Sequence, residues 1–260
     1  MNEYLQKSIE LANHEDYLDR LHSVYPITIN EEREVDSSLL SKLERAFIDR
    51  NDRELILLAL KLDLFPIKDS YVAFLNKCPS SMIQNPSTVK RIAGVIYDIG
   101  WENCVKNITQ PKENNRQMGS KFTEWLQTSP FGIKPVYLQE FVCTDNDAIL
   151  ESSDKAKKDF AMNAFGYSRD KGLDFIARFN KKYIIGEAKF LTDYGGHQVA
   201  QFEDALSTLN TEVHDATCVA ILDGVVFIKG KNKMYNRLTT DCRNKNILSS
   251  LLLKDFCYSI

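Results

Sequence analysis

The sequence predicts an α/β (or α+β) chain: a central sheet flanked by helices, with a helical N-terminal region. Three observations carry that expectation. Helical apolar spacing runs through the first 110 residues. A strand hairpin that is apolar on both faces occupies 174–190. An amphipathic helix stands on each side of that hairpin.

In the first part, helices are expected at Glu3 to His22, Ser37 to Asp49, Asp52 to Leu62, Asp69 to Asn76 and Ser87 to Asp98. Ser87 is placed to cap its helix just after Pro86, and Gly100 to stop it. Linkers fall near 26–36, at Pro66 and at 79–86, while Trp101 and the apolar stripes read as core. We therefore divide the chain into a helical region, 1–110, and a second region, 111–260, built around the hairpin.

The second region opens with a helix from Arg116 to Gln127, with Met118, Phe122, Trp125 and Leu126 at helical spacing and Pro130 ending it. Val136 to Cys143 reads as a strand, and the polar stretch Asp145 to Asp159 as a loop or short helix. The hairpin follows, with strands Asp174 to Phe179 and Lys182 to Phe190 about a tight turn at Asn180-Lys181. Gly195-Gly196 marks a turn. Gln198 to Asn210 is a helix presenting Val199, Phe202, Leu206 and Leu209 on one face. Thr217 to Leu222 and Val225 to Ile228 read as short strands around a hairpin turn at Asp223-Gly224.

A two-residue turn pairs Phe179 with Lys182, so counting back sets Asp174 opposite Glu187. Opposed residues share a face, with Cβ atoms roughly 5 Å apart. Lys189, two residues on, shares it. Two carboxylates so close repel unless a cation bridges them or one holds a proton. Carboxylate oxygens are hard ligands of the kind Mg²⁺ prefers, and a metal there could orient a water and polarise a phosphodiester. Lys189 would hold that water or offset phosphate charge. The alternative is a surface hairpin with charges on its wet face. Against it, Ile184, Gly186, Ala188 and Phe190 make the other face apolar or small, and Ile176, Tyr183 and Ile185 add apolar bulk beside the carboxylates.

At these residues the chain resembles the PD-(D/E)XK nuclease superfamily, and within it the type II restriction endonucleases. Asp174 matches the first acid of the family pattern, and Glu187, Ala188 and Lys189 match its acid-any-lysine triplet. Leu173 stands where the family often has proline. The order helix, strand, strand, strand, helix, strand from Arg116 to Ile228 matches the family's core, and the first hundred residues show no family resemblance. The resemblance implies a mixed central sheet and Mg²⁺-dependent hydrolysis of double-stranded DNA at a specific sequence. It implies metal held by Asp174, Glu187 and the Ala188 carbonyl, and water positioned by Lys189. It also suggests an auxiliary acid at Glu124 and a steadying Gln201, although either could be an exposed helix polar group. His197 is a weaker candidate as a phosphate donor. Cutting both strands implies a homodimer. A repair or junction-resolving nuclease, a non-catalytic DNA-binding module and a hydrolase of small phosphoesters are the alternatives.

Charge distribution fits a DNA partner better than the net charge of −3 does. Residues 1–64 carry 14 acids against 8 bases, so they should not lie along DNA. They are left to a subunit interface or to support of the core; farther along the same helical region, one recognition element near Lys90 and Arg91 is the remaining option. Between Gly224 and Asn246, Lys229, Lys231, Lys233, Arg237, Arg243 and Lys245 oppose only Asp241. Basic groups bind phosphates, and Arg and Asn read base edges. A solvated helix face is the alternative. Lys155, Lys157, Lys158, Arg169 and Lys171 form a second candidate phosphate-facing stretch. The six cysteines show no CxxC pair, and the four histidines no zinc spacing. Residues 1–20 do not resemble a signal peptide, and no apolar run is long enough to span a membrane, so a cytoplasmic protein with reduced thiols is expected.

Overall fold

A computed structural model describes residues 1–27, 32–111 and 114–260. Two helices come first, α1 (Glu3–Ala12) and α2 (Tyr17–His22), where one was expected. Five more follow: α3 (Ser37–Ile48), α4 (Asp52–Ala59), α5 (Val72–Lys77), α6 (Pro86–Ile99) and α7 (Trp101–Ile108). Then come α8 (Asn114–Gln127), β1 (Val136–Tyr137), α9 (Leu138–Cys143), β2 (Ala148–Glu151), α10 (Asp154–Phe165), β3 (Phe175–Phe179) and β4 (Lys182–Leu191). The chain ends with α11 (Gly196–Leu209), β5 (Ala216–Gly224), α12 (Lys233–Thr239), β6 (Ile247–Leu248) and α13 (Leu253–Ser259).

The chain divides into two compact units, one of residues 1–27 with 114–260 and one of residues 28–113. The first 27 residues, read from sequence with the helical region, thus belong with the sheet. Leu5 and Ile9 of α1, and Tyr17 and Leu21 of α2, are buried in the sheet's two apolar layers. The linker expected near 26–36 lies partly outside the described residues. The 28–113 unit is all helix among its described residues. Its core is Leu43, Leu55, Ile56, Ile92, Ala93, Ile96 and Cys104, with Trp101 packed against it. Asn85, not Ser87, stands at the N-cap of α6, with Pro86 in the first turn, and Gly100 ends the helix at φ 81°.

The six strands lie in sequence order. β1 and β2 run parallel, β2–β3 and β3–β4 antiparallel, and β4–β5 and β5–β6 parallel, so the sheet is mixed as expected. Parallel neighbours need a crossover, which α11 supplies between β4 and β5 and α12 between β5 and β6. One face carries Phe175, Ala177, Phe179, Ile184 and Ala188 against Met118, Phe122 and Leu126 of α8 and Phe256 of α13. The other carries Leu191, Ala220 and Leu222 against Phe202, Ala205 and Leu206 of α11, and Ile176 and Ile185 against Ala161 and Phe165 of α10. With helices on both faces, the central strands have no wet side, and their apolar runs follow from that.

Four further sequence expectations change: Val225 to Ile228, expected as a strand, forms a 3-10 turn at Val225–Phe227, and three other segments differ as well. Val136 to Cys143 is strand for two residues only and then helix, with Phe141 buried and Val136 packed against the same cluster. The Phe141 carbonyl accepts from Arg178 at 2.6 Å, and the same guanidinium donates twice to the Asn146 carbonyl at 2.8 and 2.9 Å. Arg178 is 1% exposed and ties this loop to β3. The polar stretch Asp145 to Asp159 contains β2 and the start of α10, capped by Ser153, whose hydroxyl accepts from the Ala156 N–H. Asp223-Gly224 is no hairpin turn. β5 runs through both residues, and Gly224 sits at φ 88° where a Cβ would collide with the Leu191 carbonyl.

Asp-Gly favours tight turns, yet the Asp223 side chain is fully buried. Tyr25 donates to one carboxylate oxygen at 2.9 Å and Ser249 to the other at 2.5 Å, with the Ser250 N–H at 3.2 Å. Burial nevertheless pushes its pKa up to about 6, against the pull of those donors. The folded-state value thus lies above the unfolded one. The resulting stability is complete below about pH 4 and is lost as pH rises through about 6. Urea unfolding from pH 4 to pH 7 is expected to show the stability of the wild type falling relative to Asp223→Asn, by about 3 kcal/mol at most. A difference constant across that range would contradict the buried, protonatable state of Asp223.

Candidate active site

The turn at Asn180-Lys181 has φ values of 50° and 64°, the left-handed pair of a two-residue hairpin loop. It pairs Phe179 with Lys182 and Phe175 with Gly186. One step further, Asp174 falls opposite Glu187, the register expected from sequence. Asp174 itself lies just before β3, where its carboxylate is free of the ladder. Its Oδ2 accepts from the Ala188 N–H at 2.8 Å, which closes it over β4. Gly186 is required beside it, since a Cβ there would meet Val219 at 2.7 Å.

Glu187 is 1% exposed, with β5 alongside and α11 above, so the wet-face alternative is excluded. A buried carboxylate needs partners. Lys189 Nζ stands 2.5 Å from Oε1 and 3.4 Å from Asp174 Oδ2. Lys171 Nζ lies 2.7 Å from the same Oε1 and also binds the Asp204 carboxylate. Arg169 holds Asp204 in turn, at 2.9 Å to Oδ1 and 3.0 Å to the main-chain carbonyl. Glu187 Oε2 is buried and has no hydrogen-bond partner. The expected repulsion between the two carboxylates is thus offset by the ammonium groups of Lys171 and Lys189. On the other side of Asp174, the buried Lys157 donates to its carbonyl at 2.8 Å.

Burial works to lower the pKa of Lys189, but Asp174 and Glu187 outweigh it and the net shift is upward. Lys189 therefore stays an ammonium ion and serves as a donor. Lys157 goes the other way: burial lowers its pKa despite Asp154 and Asp174.

Asp174, Glu187, Ala188 and Lys189 are thus brought together. Glu124 is exposed on α8, whose apolar side packs on the opposite face of the sheet, and it joins no bond to the cluster. Gln201 bonds His197 at 3.0 Å and does not reach Lys189. The neighbouring Gln198 is the buried one, accepting from the Thr192 N–H at 3.3 Å and tying α11 to the end of β4. Asp204, three residues beyond Gln201, is the α11 side chain that joins the site, and nothing in the sequence marked it. Lys157, Arg169 and Lys171 carry no signal in the sequence beyond their basic charge, yet each bonds within the cluster. Lys229, Lys231, Lys233, Arg237, Arg243 and Lys245 are all exposed, along and around α12, which buries Met234 and Leu238. Arg237 is engaged by Glu203 and, at 4.0 Å, by Asp241.

Among the described residues no three His, Cys, Asp or Glu side chains converge as a metal cage. Magnesium does not need one. It is commonly held by one or two carboxylates with waters and substrate phosphates completing the shell. The buried, unpartnered Glu187 Oε2 beside Asp174 fits such a site. No helix among the described residues is long and apolar enough to cross a membrane.

Comparison with curated proteins and with solved structures gives no match. A family model does match, over residues 2–260, and its description is the Tsp45I type II restriction enzyme. That span covers both units, including the helical 28–113 region for which the motif alone gave no kinship. The mixed sheet, the acid pair with its lysine and this whole-length match agree: the chain belongs to the Tsp45I type II restriction enzyme family, whose members are sequence-specific DNA endonucleases.

Proposed function

We propose that this protein is a Mg²⁺-dependent type II restriction endonuclease that hydrolyses double-stranded DNA through Asp174, Glu187 and Lys189, acting as a homodimer. The observation that carries this reading is the Glu187 carboxylate, buried beside Asp174 and Lys189 with one oxygen unpartnered. Asp174 and Glu187 Oε2 would hold the metal, with the Ala188 carbonyl as a further donor. When bound, Mg²⁺ supplies a Lewis acid that lowers the pKa of water and neutralises phosphate charge.

The residues of the chain do the positioning. The Ala188 N–H and the Lys157 ammonium fix Asp174 through its carboxylate and its carbonyl. Lys189, an ammonium ion between two carboxylates, donates to the attacking water or to a phosphate oxygen. The water gives up a proton to solvent as its oxygen bonds to phosphorus, one ester P–O bond breaks, and the departing oxygen takes up a proton from solvent. Cleaving both strands needs two such sites, which a two-fold dimer supplies. We assign neither Glu124 nor Gln201 a direct role.

The exposed basic groups from Lys229 to Lys245 are suited to a phosphate backbone. Lys229, Lys231, Lys233, Arg243 and Lys245 project into solvent, whereas Arg237 must first leave Glu203 and Asp241. We place the 28–113 unit in recognition or subunit contact rather than in chemistry.

Plasmid digestion with sequencing of the ends tests the chemistry. The wild type with Mg²⁺ is expected to cut at discrete sites and to stop in EDTA. Asp174→Asn, Glu187→Gln and Lys189→Met are each expected to lose at least about a hundredfold in rate while remaining folded. Cleavage by Asp174→Asn at the wild-type rate would overturn the site.

Binding in Ca²⁺ tests the basic segment. Each phosphate contact removed by Lys231→Ala, Lys233→Ala or Lys245→Ala should lower the slope of log affinity against log salt by about 1. Unchanged slopes in all three would place the segment off the DNA.

A further inference from the structure

Glu187 presents two unlike oxygens. Oε1 carries two ammonium groups, Lys189 at 2.5 Å and Lys171 at 2.7 Å, while Oε2 carries none and is buried. Lys171 comes from the loop before β3 and is steered by Asp204 of α11, itself clamped by Arg169. Asp174, Glu187 and Asp204 are therefore matched by Lys171, Lys189 and Arg169, and the cluster balances its own charge. Lys189 belongs to the motif. Lys171 does not, and its side chain is 31% exposed, so it has room to move where Glu187 has none.

We propose that Lys171 is a resident counter-ion of Glu187, and that Asp204 sets how strongly it acts. Its ammonium holds Glu187 through Oε1, leaves Oε2 to a cation, and keeps cation affinity low in the DNA-free protein. A positive charge at this distance opposes an incoming divalent cation, and Asp204 dulls that opposition by sharing the lysine. A DNA phosphate, arriving with its own negative charge, relieves the same opposition, so Lys171 ties metal uptake to DNA binding. This rests on reading Asp174 and Glu187 as a cation site.

The two partners of the bridge then have opposite effects, which mere loosening of the site would not give. Isothermal titration calorimetry of the full chain with Mn²⁺ alone, without DNA, reads them directly. Lys171→Gln should bind Mn²⁺ at least about tenfold more tightly than wild type, because a nearby positive charge is gone. Lys171→Met should behave alike. Asp204→Asn should bind more weakly, because Lys171 is left unshared. Circular dichroism and melting temperature confirm that each variant is folded. Weaker binding in both Lys171→Gln and Asp204→Asn, or no change in the lysine variants, would overturn the proposal. Asp174→Asn separates the two readings: if it binds Mn²⁺ as wild type does, the carboxylate site itself is wrong and this inference goes with it.

Discussion

Everything at this site depends on keeping a carboxylate in the middle of a covered sheet. Glu187 has β5 beside it and helices above, and only 1% of it reaches solvent. An ionised carboxylate so placed loses its water, and a lone charge there would cost several kcal/mol. The surrounding structure answers that cost with two lysines on one oxygen. Lys189 comes from the same strand two residues on, and Lys171 from the loop before β3. The remaining oxygen is buried without a hydrogen-bond partner, and the proposed cation site rests on it.

The sheet makes this arrangement rigid. β4 is held on both sides, antiparallel to β3 and parallel to β5 over nine residue pairs. The tight turn at Asn180-Lys181 sets the register, and a slip of one residue would send Glu187 and Lys189 to the opposite, apolar face. Gly186 allows β5 to approach closely at the step before the carboxylate. Helix α11 then does two jobs. It carries the parallel crossover from β4 to β5, and it brings Asp204 over the site through Lys171. Fold and chemistry therefore share the same contacts, and a change to the hairpin disturbs both.

Local order was legible in the sequence. The hairpin, its turn, its register and the meeting of Asp174, Glu187 and Lys189 follow from a two-residue period and a two-residue loop. What was hidden is what depends on distant partners. Asp204 is an ordinary polar residue of an amphipathic helix until Lys171 meets it. Asp223-Gly224 carries a turn composition, yet the Asp223 carboxylate is claimed by Tyr25 and Ser249 from opposite ends of the chain. Val136 to Cys143 looks like a strand by composition, but Arg178 captures the carbonyls that bound it, and only two residues pair. The first 27 residues resemble the helices that follow them and pack instead on the sheet. Glu124, suggested by resemblance, is exposed on α8, which packs on the other face of the sheet, and Gln201 is half-buried and bonded to His197.

The central claim is that Asp174 and Glu187 share one divalent cation. Anomalous diffraction from crystals of the protein soaked in Mn²⁺ tests it most directly. The account predicts a single strong peak between the two side chains, at bonding distance from Asp174 and from Glu187 Oε2, and its disappearance in Glu187→Gln. A peak elsewhere on the chain, or one that persists in Glu187→Gln, would contradict it.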